Sequence, residues 1–234
     1  MTSHEARRKP LFHDRKEAGR MLASRLRSFA QRPDTIVMAL PRGGIPVGAE
    51  IAAALEVPLF PFVVRKLGAP EHEDLAMGAA ATDGKRLINR AVTLPLHISE
   101  HEVDLAVERE RRQAARLERL YGRGHPMPEV KEKIVILVDD GVLTGSRMLL
   151  AGHILRQQGA ARLIMAVPGA PARATARLRQ IANEVICLVE LEPLGVGRCY
   201  EDSQAPTDHE VCMILDRMYE EQSDPAWHES QSGC

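Results

Sequence analysis

The sequence has few aromatic residues, few cysteines, almost no net charge and no long apolar run. Aromatic residues make up 3% of the 234 residues, so few side chains could stack on a planar ligand. The four cysteines show no CxxC spacing, which argues against a zinc site and a disulfide framework. A formal net charge of −1 gives no reason to expect bulk attraction to nucleic acid or to a membrane. No apolar segment approaches membrane-spanning length.

The first ten residues, MTSHEARRKP, also lack the apolar core of a signal peptide. We therefore expect a cytoplasmic protein without nucleic-acid or membrane partners.

Apolar strand-like segments alternate with segments of helical spacing along the chain. This alternation predicts an α/β fold, a doubly wound and mainly parallel sheet covered on both faces by helices. The predicted strands lie at 35–40, 59–64, 133–138, 162–167 and 184–190. The predicted helices lie at 14–29, 45–55, 99–121, 146–158, 172–181 and 207–221.

Two segments do not follow this alternation and are expected to be mostly irregular. Residues 65–95 carry several Gly and Pro breakers, with short strand-like pieces only near 79–81 and 86–88. Residues 191–206 lack a periodic pattern altogether. We expect one domain over 12–222, with 65–95 as a flexible loop or cap, 191–206 as a C-terminal hood and 223–234 as a polar tail.

The most informative segment is IVILVDDGVLTGSR, residues 134–147, in which a buried strand ends at two adjacent acids. In open α/β folds, ligands bind where strands end and helices begin. The following Thr-Gly turn supplies a hydroxyl and helix-opening amides, both suited to an anion. The segment therefore indicates a ligand that carries both hydroxyl groups and a phosphate.

Other interpretations of the two acids, Asp139 and Asp140, fit less well. They could cap the following helix, although one acid would suffice for that. Asp-Gly-Val-Leu-Thr is superficially similar to the first motif of haloacid-dehalogenase-type phosphatases, but that motif places one residue between its acids. A receiver domain should carry its acid pair near the N-terminus.

The same segment resembles the phosphoribosyl pyrophosphate (PRPP) binding motif of type I phosphoribosyltransferases, which have a Rossmann-like fold. The resemblance implies that Asp139 and Asp140 are catalytic residues that bind the ribose hydroxyls. It also implies that they contact a metal indirectly, through ribose or water. It implies a 5′-phosphate cradle made of Leu143, Thr144, Gly145 and Ser146. Arg147 replaces the Thr or Ser usual in the family, and its guanidinium either pairs with the phosphate or points to solvent.

A second segment, Ala39-Leu-Pro-Arg-Gly-Gly44, follows the first predicted strand and is similar to the pyrophosphate-binding loop of the family. Two glycines allow the backbone to approach an anion closely, and an arginine can bind phosphate oxygens in a bidentate manner. The resemblance implies that Pro41, Arg42, Gly43 and Gly44 bind pyrophosphate, with Arg42 also catalytic. It also implies a strained or cis peptide in this loop. The alternative interpretation is that Pro-Arg-Gly-Gly is an ordinary turn that binds no ligand.

Three further residue groups have two interpretations each. Arg65 and Lys66 either contact pyrophosphate or form a solvated strand terminus. His72 is either a general acid or metal ligand in a closing loop, or simply solvated. Tyr200 either stacks on a base in the hood or packs in the core.

The resemblance extends from about residue 12 to residue 216, to a bacterial subgroup of phosphoribosyltransferases whose substrate is not established. It implies transfer of the phosphoribosyl group from PRPP to a nucleobase or related nitrogen acceptor, with Mg²⁺ as cofactor and pyrophosphate as product. It also implies a homodimer, since relatives often form dimers. A non-catalytic PRPP-binding regulator and a phosphoribosyl-compound hydrolase stay open as alternatives.

Overall fold

The computed structural model describes residues 11–191 and 199–223, which contain seven α-helices, one short 3₁₀ helix (Arg27–Phe29) and eight strands. The helices are α1 (Arg15–Arg25), α2 (Gly44–Leu55), α3 (Arg90–Thr93), α4 (Glu100–Gly122), α5 (Ser146–Gln157), α6 (Ala172–Leu178) and α7 (Asp208–Ser223). The strands are β1 (Thr35–Ala39), β2 (Leu59–Pro61), β3 (Val64–Ala69), β4 (His72–Ala81), β5 (Arg86–Ile88), β6 (Ile134–Val138), β7 (Arg162–Ala170) and β8 (Glu184–Glu190). None of these helices is long and apolar enough to cross a membrane.

Five strands form the central sheet in the order β2-β1-β6-β7-β8, and every pair is parallel. The chain adds β2 on one side of β1 and later adds β6 on the other side. The strand order therefore reverses between β1 and β6, where ligands bind in open α/β sheets. The predicted fold class, a mainly parallel α/β sheet, is confirmed.

Successive residues of the central strands pack on opposite faces of the sheet, as the two-residue repeat of a strand requires. Val37, Ile136 and Ile164 belong to a core shared with α1, α2 and α7. Their neighbours Met38, Leu137 and Met165 belong to a second core shared with α5 and α6. Because both faces are covered, the strands are continuous apolar runs without polar alternation.

The expectation of a mostly irregular segment over 65–95 is wrong, because β3, β4 and β5 form a three-stranded antiparallel sheet there. Helix α4 covers it through Val103, which joins a small core with Leu67 and Met77. Strand β4 reads HEDLAMGAAA, with alanine and glycine where a strand usually has β-branched residues. These small side chains allow close packing; a Cβ added at Gly78 would overlap the carbonyl of Leu87.

The single strand predicted at 59–64 is also divided, because β2 ends at Pro61 in the central sheet and β3 starts the antiparallel sheet at Val64. The other predicted elements are present, with ends shifted by up to four residues. Residues 192–198 of the predicted hood and 224–234 of the predicted tail lie outside the described residues. Whether 65–95 closes over a ligand, and whether 12–222 is one domain, stay predictions.

Candidate active site

The two predicted anion loops meet at the switch between β1 and β6. Both loops follow the carboxyl ends of these adjacent parallel strands. The backbone N–H of Leu40 donates to the carbonyl of Val138 at 2.9 Å, which holds the two strand ends together. A Cβ added at Gly43 would overlap the carboxylate of Asp140. Glycine is therefore the residue that lets the Pro-Arg-Gly-Gly loop lie directly against the second acid.

Asp139 is buried and forms an ion pair with Arg147 in which one guanidinium nitrogen contacts both carboxylate oxygens. The Nη2 of Arg147 lies 2.8 Å from Oδ1 and 2.7 Å from Oδ2 of the carboxylate. The Nη1 of the same guanidinium donates to the carbonyl of Pro41 at 3.2 Å. Burial raises the pKa of Asp139, and the charge of Asp140 raises it further, while the Arg147 guanidinium opposes both effects.

Asp140 is held from two sides by residues far away in the sequence. The Nε of Arg15, at the start of α1, donates to its Oδ2 at 2.9 Å. The hydroxyl of Tyr200 donates to its backbone carbonyl at 2.6 Å. The guanidinium of Arg15 also lies over the Tyr200 ring, 4.9 Å from its centroid. The sequence contains no local signal for Arg15, which is 125 residues away from its partner.

The turn at 143–146 has the backbone of an anion cradle. Gly145 caps α5 with φ +80°, a left-handed conformation that favours glycine, and the helix begins at Ser146. The first amides of a helix have no carbonyl partner within it, so they are available to an anion. The hydroxyls of Thr144 and Ser146 lie 3.2 Å apart, and Arg177 donates to the carbonyl of Thr144 at 2.9 Å. Leu143 is 47% exposed at the tip of the turn.

Arg42 lies in the Pro-Arg-Gly-Gly loop with half of its side chain exposed, and its peptide bond to Pro41 is cis. The Nη1 of Arg42 is 3.9 Å from Oδ1 of Asp208, at the start of α7. The same carboxylate accepts a 2.6 Å hydrogen bond from the hydroxyl of Tyr121 and lies 3.6 Å from Nη2 of Arg116. Asp208 thus connects the loop to α4, which the sequence alone did not indicate.

Part of this arrangement lines a cleft of about 410 Å³, whereas Asp139 and the turn at 143–146 lie beside it. Its charged lining comes from the two anion loops, β3, α4, α5 and α7, and consists of Arg42, Arg65, Arg116, Asp140, Arg147 and Asp208. A second cavity of about 480 Å³ has a mainly apolar lining and none of the predicted site residues. The chemistry therefore points to the smaller cleft, where cationic side chains predominate.

The comparison with known families decides which family this arrangement represents. The model of the phosphoribosyl transferase domain matches residues 12–201, most of the chain. The chain belongs to the phosphoribosyl transferase family. The recognition made from the two motifs is therefore confirmed.

Individual members of the family give the same result. The chain is 38% identical over 213 residues to two Mycobacterium tuberculosis proteins, from strains CDC 1551 and H37Rv, each named "Putative phosphoribosyl transferase". It spans about half the length of these curated relatives, 47%, and 89% of its own length is matched. A crystal structure of the protein TT1426 from Thermus thermophilus is 33% identical, with a TM-score of 0.72 over 88% of this chain and 98% of that one.

Arg147 does not point to solvent, the second of the two positions left open for it by the sequence. Its guanidinium binds Asp139 and the carbonyl of Pro41, and its predicted pairing with a phosphate stays a prediction. The residue that departs from the usual motif of the phosphoribosyl transferases thus contacts the first acid of that motif.

Tyr200 lies in the core, in agreement with the second of its two interpretations. It is 4% exposed, and its ring packs on Phe12 with 5.9 Å between centroids. Burial raises the pKa of its phenol. With Phe12 and Arg15 against the ring, a base could stack on Tyr200 only by displacing one of them.

Replacing Tyr200 with phenylalanine is expected to lower the free energy of unfolding by about 1–2 kcal/mol, because the carbonyl of Asp140 loses a buried hydrogen-bond donor. Urea unfolding followed by circular dichroism measures this change. An unchanged unfolding midpoint would contradict the importance of the hydrogen bond from Tyr200 to Asp140.

The two basic residues predicted at 65–66 separate in the structure. Arg65 lines the cleft and pairs with Glu110 of α4 at 3.0 Å. Lys66 is exposed and is not among the residues that line the cleft. Neighbouring residues of a strand point to opposite faces, so only one of the two can reach a ligand in the cleft. His72 is exposed at the start of β4, and its predicted role stays a prediction.

The acids of the motif do not fit a metal ion held directly by the protein. Both oxygens of Asp139 face Arg147, and Oδ2 of Asp140 accepts from Arg15. Within 11–191 and 199–223, no cluster of three or more His, Cys, Asp or Glu side chains could hold a metal. The predicted indirect contact with a metal, through ribose or water, stays a prediction.

Proposed function

We propose that the protein transfers the 5-phosphoribosyl group of PRPP to a nitrogen acceptor, such as a nucleobase, with release of pyrophosphate. The observation that carries the proposal is the meeting of two anion loops at the β1/β6 switch, with Asp140 between them. PRPP carries phosphate at C5 and pyrophosphate at C1, with two ribose hydroxyls between them. The two loops and the acid pair match these three features in number and kind.

Each residue has a proposed role that follows from its position in the cleft or directly beside it. Thr144, Gly145 and Ser146 would bind the 5′-phosphate with the amides at the start of α5. Asp139 and Asp140 would accept hydrogen bonds from the ribose hydroxyls. Residues 41–44 would hold pyrophosphate, with Arg42 placed by Asp208 to stabilise the negative charge on the departing group. Arg65 would contribute a second cation from β3.

The reaction breaks the bond from C1 of the ribose to pyrophosphate and forms a bond from C1 to the acceptor nitrogen. Positioning and charge stabilisation are the main contributions that such a site makes, because no side chain needs to bond covalently to the ribose. Mg²⁺ would enter with PRPP, bound by substrate oxygens, and would supply positive charge to the pyrophosphate.

A non-catalytic PRPP-binding regulator is the second candidate function. It is favoured by one observation, that both acids are already paired with arginines, Asp139 with Arg147 and Asp140 with Arg15. A hydrolase of phosphoribosyl compounds is the third. As part of the proposed function, the acceptor is a nucleobase or related nitrogen compound. The protein is proposed to form a homodimer and to act in the cytoplasm.

The test is incubation of the protein with PRPP and Mg²⁺, with and without a panel of nucleobases and amines. We expect pyrophosphate and a phosphoribosylated acceptor, identified by mass, only when an acceptor is present. Product without an acceptor would indicate a hydrolase. Tight PRPP binding without turnover of any acceptor would indicate a regulator.

The Asp139→Asn/Asp140→Asn protein tests the site itself. We expect PRPP affinity to fall by at least about 100-fold, since two hydrogen bonds to charged groups are weakened at about 1.5–3 kcal/mol each. The matched control is Asp104→Asn, which removes an exposed carboxylate of α4. Isothermal titration calorimetry measures both proteins. If the double variant binds PRPP as well as the wild type does, the site assignment fails.

A further inference from the structure

Arg147 contacts three functional elements at once. Its backbone lies at the second residue of α5, directly after the turn proposed to hold the 5′-phosphate. Its side chain reaches the carboxylate of Asp139, proposed to bind ribose, and the carbonyl of Pro41 in the pyrophosphate loop. A movement of this one side chain would therefore change contacts next to the phosphate turn, at Asp139 and in the pyrophosphate loop.

The guanidinium of Arg147 covers Asp139 on the side of the cleft. Arg147 and Asp140 line the cleft, whereas Asp139 is 2% exposed and is not part of the lining. A ribose hydroxyl in the cleft would meet Asp140 directly but would meet Arg147 before Asp139. In this arrangement the first acid is closed to the ligand that it is proposed to bind.

We propose that Arg147 is a specificity residue that opens Asp139 to the ribose hydroxyls only when a phosphate occupies the adjacent 144–146 turn. The proposal rests on the proposed function, because it assigns the phosphate and ribose subsites in the same way. A 5′-phosphate attracts the guanidinium away from Asp139, and the freed carboxylate accepts from the ribose. Sugars and nucleosides that lack the phosphate meet a closed site and bind weakly.

The exchange of partners is chemically balanced. Arginine pairs with phosphate oxygens in the same bidentate geometry that it uses with a carboxylate, so a phosphate can compete for it. The ribose hydroxyls then replace the guanidinium as donors to Asp139, so the buried carboxylate keeps hydrogen-bond partners. A ligand shifts such an equilibrium only by its difference in affinity for the two states, and here that difference comes from the phosphate.

The decisive measurement uses the two halves of the ligand separately. 5-Deoxyribose supplies the ring hydroxyls, and because it lacks the 5-hydroxyl it leaves room for inorganic phosphate in the turn. We expect saturating phosphate to tighten the binding of 5-deoxyribose to the wild-type protein by about 5- to 10-fold, within the usual range of coupling between sites. Titrations followed by ¹H–¹⁵N NMR measure such weak binding, and 5-deoxyribose must tighten phosphate binding by the same factor.

We call the phosphate-dependent opening of Asp139 by Arg147 the gate. Two variants separate the gate from simpler roles of Arg147. In Arg147→Ser, 5-deoxyribose should bind equally with and without phosphate, because nothing covers Asp139. Arg147→Lys keeps the charge and should retain part of the coupling between phosphate and 5-deoxyribose. This variant also provides the test if the serine variant does not fold. Arg173→Ser, at an exposed position of α6, is the control and should behave as the wild type does.

Each outcome has a distinct meaning. If ribose 5-phosphate binds the wild type but phosphate leaves 5-deoxyribose affinity unchanged, the gate is wrong and the proposed function stands. If Arg147→Ser weakens phosphate alone and keeps the coupling, Arg147 is a plain phosphate ligand and the gate is again wrong. If ribose 5-phosphate does not bind the wild type at all, the proposed function fails and the gate fails with it.

Discussion

Replacing Gly43 with alanine is expected to lower kcat/KM for PRPP by at least about 100-fold, the scale of loss that a displacement of about 1 Å in a reacting group can cause. The added Cβ would overlap the carboxylate of Asp140, which is fixed in place by Arg15 and cannot move freely. The loop or the acid must therefore shift, and the pyrophosphate and ribose subsites lose their relative position. Initial rates at varied PRPP concentration measure the effect.

Gly122→Ala is the matched control for this prediction. Gly122 is the last residue of α4, and a Cβ added there would meet no heavy atom within 4 Å. We expect unchanged kinetics and a stability equal to or slightly above that of the wild type, because alanine has the higher helix propensity. If Gly43→Ala folds and keeps wild-type kinetics, the close approach of the loop to Asp140 has no functional meaning.

Replacing Arg147 with methionine is expected to lower the free energy of unfolding by about 3–5 kcal/mol at pH 8, the usual cost of removing one partner of a buried ion pair. Burial already raises the pKa of Asp139, and without the opposing guanidinium it rises further. Below the ordinary carboxyl pKa of about 3.9, Asp139 is protonated in both the folded and the unfolded state and the penalty from its charge vanishes. As pH rises through the folded-state pKa, that penalty grows to its full value.

The loss in free energy of unfolding caused by Arg147→Met should therefore be clearly smaller at pH 5 than at pH 8. Urea unfolding of the wild type and the variant at each pH measures this difference. The double variant Asp139→Asn/Arg147→Met removes the charge and should recover much of the stability at pH 8 without a comparable pH dependence. A loss in Arg147→Met that is the same at both pH values would show that Asp139 is not its cause.

The meeting of the two predicted anion loops could be inferred from the sequence because each is a short, contiguous segment with a characteristic composition. Asp139, Asp140 and the Thr-Gly turn follow one apolar strand, and Pro41 to Gly44 follow another. The alternation of strands and helices then implied that both loops lie at the same edge of a parallel sheet. The positions of these two loops can therefore be inferred from short segments of sequence alone.

The partners of these loops could not be predicted, because they depend on packing between distant segments. Arg15 reaches Asp140 from α1, and Asp208 reaches Arg42 from α7, with no pattern in the sequence that links either pair. Arg147 was recognised as unusual, but its attachment to Asp139 depends on how α5 leaves the turn. Of strand β4 only the piece at 79–81 is predicted from the sequence, since the residues before it, HEDLAMG, carry little strand propensity.

The connection between β2 and β6 has a consequence for how such a protein can diversify. Strands β1 and β6 pair directly, so the central sheet closes without the intervening residues 62–133. That segment contains the antiparallel sheet and α4, and it contributes Arg65, Gln113 and Arg116 to one wall of the cleft. Insertion, exchange or drift within this segment would reshape that wall, while the direct pairing of β1 with β6 would be kept. The side chains that hold Asp139 and Asp140 are Arg147, Arg15 and Tyr200, and all three lie outside this segment. The fold thus confines change in one wall of the cleft to a single contiguous stretch of chain and leaves the acidic pair and its partners in place.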